Sequence, residues 1–204
     1  MVLSRAIEAF LRHPMVSDVM VVMHPDDEAR VDAAIAGAEN PRGTRVFKTA
    51  GALTRQLSVG KGLGELTHAG LGTDAIVLIH DAARPFVDDA LITRAIAAAL
   101  APGGAIPVLP VADTIITLAA GGAAPVTLDR SALRAVQTPQ AFRFGPINQA
   151  HRTAETQGLH DFTDDAAVMR HAGFTVGLFD GSARAFKLTT PEDVARAEAL
   201  LAPP

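Results

Sequence analysis

The chain has 204 residues, 49% of them apolar, and a net charge of -4, which suits a single domain with a sizeable core. It carries no basic run, so nucleic acid is not an expected partner, and no stretch nears the roughly 20 apolar residues of a membrane span. The lack of cysteine removes disulfides and thiolate metal sites, and Arg5 and Glu8 interrupt any leader-like apolar run, so the expected location is the cytoplasm.

In chain order, Leu3, Ala6, Ile7, Phe10 and Leu11 recur at helical spacing and predict a helix over 3–12. Val19 to Met23 reads as a buried strand. His24-Pro25-Asp26-Asp27-Glu28 opens a helix, with proline at its start and acids in its first turn, and Gly37 stops it. Thr44 to Lys48 is a strand, Arg55 to Leu66 a helix, 75–79 a strand, 88–100 a helix and 104–110 a strand. This alternation predicts an α/β fold: a mostly parallel sheet with helices on both faces. Two strand-like runs, 113–118 and 125–128, flank Ala119-Ala120-Gly121-Gly122-Ala123-Ala124 and read as a protruding β-arm (about 111–137) with a flexible tip. Such an arm buries little by itself and is expected to pack on something else, such as a second subunit. Helices near 146–156 and 164–172, strands 175–179 and 185–188, and a helix over 191–201 complete the chain. No linker divides residues 1–204 into two domains.

The chemistry concentrates at strand ends. His80-Asp81-Ala82-Ala83-Arg84-Pro85 follows strand 75–79. It places a carboxylate and a guanidinium at the edge where open α/β sheets bind ligands. Asp81 can hold a cation or a hydroxyl, and Arg84 offers a planar fork to phosphate. The plainer alternative is a turn cap and a surface ion pair. Gly51, Arg55 and Ser58 precede or open a helix, where amides can face an anion, or form an ordinary turn and cap. Arg130 follows the arm, and Thr138 offers a hydroxyl. Thr190-Pro191 is explained as a helix start. Lys187, between Phe186 and Leu188, is not explained structurally. His160, Asp161, Asp164 and Asp165 read as a helix cap rather than a metal site. Two arginines, a lysine and an aspartate suggest chemistry at phosphorus, where positioning and charge neutralisation dominate.

Taken in order, His80 to Pro85, Pro110-Val111-Ala112-Asp113-Thr114, Asp129-Arg130, Gln137-Thr138-Pro139-Gln140, Thr163-Asp164-Asp165 and Lys187 to Asp193 closely resemble the 2-C-methyl-D-erythritol 4-phosphate cytidylyltransferase family, from about Val2 to Leu201. The resemblance implies a nucleotide-diphosphosugar-transferase-like domain whose arm clasps a second subunit in a homodimer. It also implies transfer of CMP from CTP to 2-C-methyl-D-erythritol 4-phosphate with release of pyrophosphate, in non-mevalonate isoprenoid precursor synthesis, with magnesium accompanying CTP. Carried over by motif, Asp81, Arg84, Thr114 and Thr138 would bind the polyol phosphate. Arg130 and Lys187 would position its phosphate for in-line attack, and Gly51, Arg55 and Ser58 would lie near the cytidine. Thr114 and Arg130, on or beside the arm, would serve the partner's site.

The chain departs from the family pattern in two places. Val2 to Phe10 resembles the helix that follows the family's first strand and glycine-rich phosphate loop, so that segment is expected to be missing from the chain as written. Ala52 stands where a second glycine is usual, and Leu57 where an acid is common, which bears on base recognition. The alternatives are a truncated non-catalytic relative that binds a sugar phosphate, a pentitol-phosphate cytidylyltransferase, and one half of a bifunctional protein.

Overall fold

The computed structural model describes residues 1–100, 103–118 and 124–202. Helix α1 (Val2–Arg12) buries Ala6, Ile7, Phe10 and Leu11 along one stripe, as their spacing demands. Strand β1 (Asp18–Met23) leads through a 3-10 turn at Pro25–Asp27 into α2 (Glu28–Ala36). Strand β2 (Arg45–Ala50) runs parallel to β1 from Asp18 opposite Arg45 to Met23 opposite Ala50. Helix α3 (Arg55–His68) is capped by Thr54, whose hydroxyl accepts from the Leu57 amide. It delivers the chain to β3 (Ile76–Ile79). Helix α4 (Asp89–Ala98) is capped by Asp88, and β4 (Ala105–Pro110) follows.

The arm is a short antiparallel pair, β5 (Ile116–Thr117) and β6 (Val126–Thr127). Of its expected tip, residues 119–123 lie outside the described residues. The chain returns through β7 (Arg134–Val136) and β8 (Gln140–Arg143). Neither strand is foreseen in the sequence, because three or four residues carry too little periodicity. Then come α5 (Phe144–Thr156), α6 (Asp165–His171), β9 (Gly177–Asp180) and α7 (Pro191–Leu201). Helix α7 begins in a full capping box, Thr190 with Asp193.

The expectation of an α/β fold holds: β1 and β2 form a two-stranded sheet, and β3, β4, β7, β8 and β9 form a five-stranded mixed sheet. Pairs β1–β2 and β4–β9 are parallel, whereas β3–β8, β4–β8 and β4–β7 are antiparallel. The described neighbour of β3 is thus antiparallel. The unforeseen β8 inserts beside it because the chain doubles back after the arm. The expected strand 185–188 is absent, and those residues form a loop. Its backbone bonds go to other loops and to side chains, including Leu188 N to Ala83 O at 2.9 Å.

Alternating strand residues supply two core faces. Val77, Ile79, Ile106 and Phe142 pack with Leu63, Ile147 and Met169 under α3, α5 and α6. On the opposite face, Leu78 and Ala141 meet α4 at Ala95 and Ala99, and Leu78 also packs with Phe10, Leu91 and Ile92. A third cluster joins Val21 to Ile7, Leu11 and Val31. Each such large side chain contributes about 1.5–3 kcal/mol on burial. Gly104 has φ +75°, and a Cβ there would lie 2.4 Å from both Ala141 O and Phe142 Cδ1, so only glycine admits the start of β4. Among the described residues, β1 has no partner on the edge away from β2, and β3 none on the edge away from β8.

Candidate active site

The loop after β3 is closed by a chain of hydrogen bonds. The Asp81 amide donates to Thr138 Oγ1 at 3.0 Å, and that hydroxyl lies 3.0 Å from His80 Nδ1. His80 Nε2 lies 3.0 Å from the Arg84 carbonyl. A carbonyl only accepts, so Nε2 carries the proton, and Nδ1 must then accept from Thr138. Burial pushes the His80 imidazolium down to about 4, so the ring is neutral and this tautomer is fixed. Phe10 packs on the ring with centroids 5.0 Å apart. Thr138, between β7 and β8, is therefore the bolt that sets the Asp81 backbone.

Asp81 is the hub of a charge cluster. Lys187 Nζ lies 3.0 Å from Oδ2, Arg55 Nε 3.1 Å from Oδ1, and Arg84 Nε 3.9 Å from Oδ2. Burial pushes the Asp81 carboxyl up, but Arg55 and Lys187 outweigh it and hold the group below the usual carboxylate range. Arg84 is 12% exposed and donates from Nη1 to Ala185 O at 2.8 Å. Its buried Nε has no hydrogen-bond partner. Burial lowers the Arg84 pKa, and Asp81 only partly opposes that.

Arg55 sits at the first position of α3, within this cluster. Its Nη1 lies 2.8 Å from Oδ2 of fully buried Asp165, a charge contact without hydrogen-bond alignment. Asp165 Oδ1 is 3.1 Å from His151 Nε2 on α5. Burial lowers the Arg55 pKa, but Asp165 and Asp81 together reverse the effect and raise it. Three cations (Arg55, Arg84 and Lys187) thus face two carboxylates, an arrangement that attracts an anion.

Ser58 Oγ accepts from Ala52 N at 2.9 Å and donates toward Thr54 O at 2.9 Å, so it shapes the loop that begins at Gly51. Gly51 N donates to Met23 O at 2.7 Å, tying that loop to the end of β1. Lys61 Nζ donates to Gly51 O at 3.1 Å. Thr114 and Arg130 lie exposed in and beside the arm. Arg130 donates from Nη1 to Ala112 O at 2.7 Å. Neither of them joins the Asp81 cluster in this chain.

Asp164 caps α6, accepting from Ala167 N at 2.8 Å, as its place before an apolar run predicts. Gln140 Nε2 donates to Asp164 Oδ2 at 3.1 Å and Gln140 Oε1 accepts from Ala166 N at 3.0 Å, which fixes where Asp165 sits. Sequence reasoning gave no role to Gln137, Gln140 or His151. The signal for each was a polar side chain among apolar neighbours: the glutamines flank Val136 and Ala141-Phe142, and His151 shares a helical face with Ile147 and Ala154. Among the described residues, no group of three or more His, Asp or Glu side chains is placed to hold a metal ion. None of the described helices is long and apolar enough to cross a membrane.

A mixed α/β domain with a charge cluster at the end of β3 belongs to the class of α/β proteins whose sheets offer ligand sites at strand ends. The family model for "IspD: 2-C-methyl-D-erythritol 4-phosphate cytidylyltransferase" matches residues 1–203, and the chain belongs to that family. It is 52% identical over 201 residues to the "Bifunctional enzyme IspD/IspF" of Bradyrhizobium diazoefficiens, covering 98% of this chain and 48% of that protein. The protein of the same name from Rhodopseudomonas palustris is 52% identical over 202 residues, with the same coverage. The chain thus spans about half the length of the curated relatives it matches. A solved 4-diphosphocytidyl-2C-methyl-D-erythritol synthase superposes with a TM-score of 0.83 at 31% identity, over 99% of this chain and 90% of that one. The 2-C-methyl-D-erythritol 4-phosphate cytidylyltransferase from Thermus thermophilus gives 0.78 at 37% identity, over 98% and 89%.

Proposed function

We propose that this chain transfers CMP from CTP to 2-C-methyl-D-erythritol 4-phosphate, in non-mevalonate isoprenoid precursor synthesis. A phosphate oxygen of the acceptor attacks the α-phosphorus of CTP, the bond to the β-phosphate breaks, and pyrophosphate leaves. The observation that carries this reading is the convergence of Arg84 and Lys187 on Asp81 at the end of β3. Partly buried Arg84 and half-exposed Lys187 share Asp81 Oδ2 as a neighbour, and two cationic heads so placed suit an acceptor phosphate. Asp81 and Thr138 set the base of that cluster, while Gly51, Arg55 and Ser58 shape the side that takes the cytidine. The catalysis is positioning and charge neutralisation.

Thr114 and Arg130 act across a homodimer in this reading. The arm leaves Ile116 49%, Leu118 84% and Val126 59% exposed, apolar surface that a second copy would cover. Among the described residues, the edges of β1 and β3 away from β2 and β8 are unpaired, which leaves room for one more strand, and with it a phosphate loop for CTP. A resident magnesium does not fit, because Asp81 is already paired with Lys187 and Arg55. A divalent ion enters with the triphosphate as part of the substrate. The reaction takes place in the cytoplasm, where CTP is available.

The test is pyrophosphate release by the full-length protein, requiring both CTP and the acceptor. Lys187→Ala is expected to cut turnover about 10²-fold or more while leaving the unfolding midpoint nearly unchanged, since Lys187 is 44% exposed. Wild-type turnover in that variant removes Lys187 from the reaction. Pyrophosphate release that proceeds equally without the acceptor overturns the transferase reading.

A further inference from the structure

Lys187 stands on a stretch, residues 181–190, with neither helix nor strand, yet its ammonium must hold one place for the transfer read above. Buried Gln137 supplies a fixed point. Its Nε2 donates to Ser182 O at 3.0 Å and to Ala185 O at 3.3 Å. Its Oε1 accepts from Ser182 N at 3.0 Å. The backbone of Gln137 is itself anchored, donating to Pro107 O on β4 at 2.9 Å. One carboxamide thus binds both ends of the Ser182–Ala185 turn, and only an amide brings two donors and an acceptor in one plane. Ala185 O also takes Arg84 Nη1 at 2.8 Å, closer than the amide at 3.3 Å, so Arg84 keeps its own partner without the clamp. Two residues further on is Lys187. Next to the turn, Gly181 leaves room for the amide: a Cβ there would lie 2.4 Å from Gln137 Oε1 and 3.1 Å from Val108 O.

We propose that Gln137 is the positioning residue for Lys187, clamping the 182–185 turn so that the lysine meets the acceptor phosphate in register. This rests on the transferase reading. Gln137 is buried and its amide bonds only to the turn, so it acts through the loop. Its neighbour Thr138 accepts from the Asp81 amide, so a single dipeptide registers both the carboxylate and the lysine.

The test is a double-mutant cycle on turnover in the full-length protein, at saturating CTP with the acceptor varied. Gln137→Met keeps the volume and removes the clamp. It is expected to slow turnover about 10- to 100-fold, the scale of an ångström-level misplacement. In a Lys187→Ala background the same substitution is expected to add less than about twofold, because the group it positions is gone. A purely structural role would multiply the two losses, and that result overturns the proposal, as does wild-type turnover in Gln137→Met. Gly181→Ala pushes the amide from the opposite side and enters the same cycle if Gln137→Met does not fold. A Lys187→Ala variant with wild-type turnover overturns the Lys187 assignment itself, an outcome read from the single variant alone.

Discussion

Replacing Asp165 with leucine is expected to cost about 3–5 kcal/mol of stability, the usual result of removing one partner from a buried ion pair. Asp165 is fully buried, and its two oxygens face Arg55 at 2.8 Å and His151 at 3.1 Å. Without it, Asp81 alone must balance Arg55, Arg84 and Lys187, and the guanidinium of Arg55 keeps its burial without its inner counter-charge. The variant Arg55→Met/Asp165→Leu removes both charges, and it is expected to recover much of the loss, since apolar replacement of a whole buried pair is often neutral. Urea unfolding of the wild type, the single and the double variant checks this. A single variant within about 1 kcal/mol of wild type would show that the Arg55–Asp165 contact carries little of the fold.

The same contact shows what the sequence could reveal. The helices announced themselves: α1 by its apolar stripe, α7 by Thr190-Pro191 and α6 by Asp164. The strands β1 and β3 announced themselves as apolar runs. The Asp81 hub was visible in part, because Asp81, Arg84 and Lys187 stand out as charges beside apolar strands or side chains, and the structure brings those three together. Arg55 was read toward a nucleotide, and its place between Asp81 and Asp165 depends on two helix starts meeting across 110 positions, which no local pattern records. The strands β7 and β8 are too short to show a period, and their pairing gives the sheet its antiparallel part. Lys187 was read on a strand because Ala185-Phe186-Lys187-Leu188 has strand-like composition. The loop exists because its backbone is satisfied by Gln137, Arg84 and Ala83 instead of a ladder, and such partners lie far away in sequence.

Acidification from pH 7 to pH 4 is expected to remove about 3 kcal/mol of stability through His80 alone. The ring has a pKa of about 4 in the folded chain, against about 6.5 when unfolded. The unfolded state therefore takes up a proton that the folded state refuses, so the contribution is complete above pH 6.5 and declines as pH falls toward 4. Protonation would place a second N–H against the Thr138 hydroxyl, which would have to turn and give up its bond to Nδ1. The groups facing the ring oppose one another, with Asp81 favouring the proton and Arg84 resisting it, so burial decides. The stability gap between wild type and His80→Gln, followed by urea unfolding, should shrink by about that amount over this range, because the variant has no ring to titrate. A gap that stays constant would mean that His80 is as free to charge in the folded chain as in the unfolded one. Asp81 titrates in a different window: its carboxyl lies below the usual range, so its contribution persists through the His80 transition and is lost only as pH falls below about 4. The two groups that build this end of the sheet therefore fail in sequence on acidification, the His80 imidazole first and the carboxylate hub second.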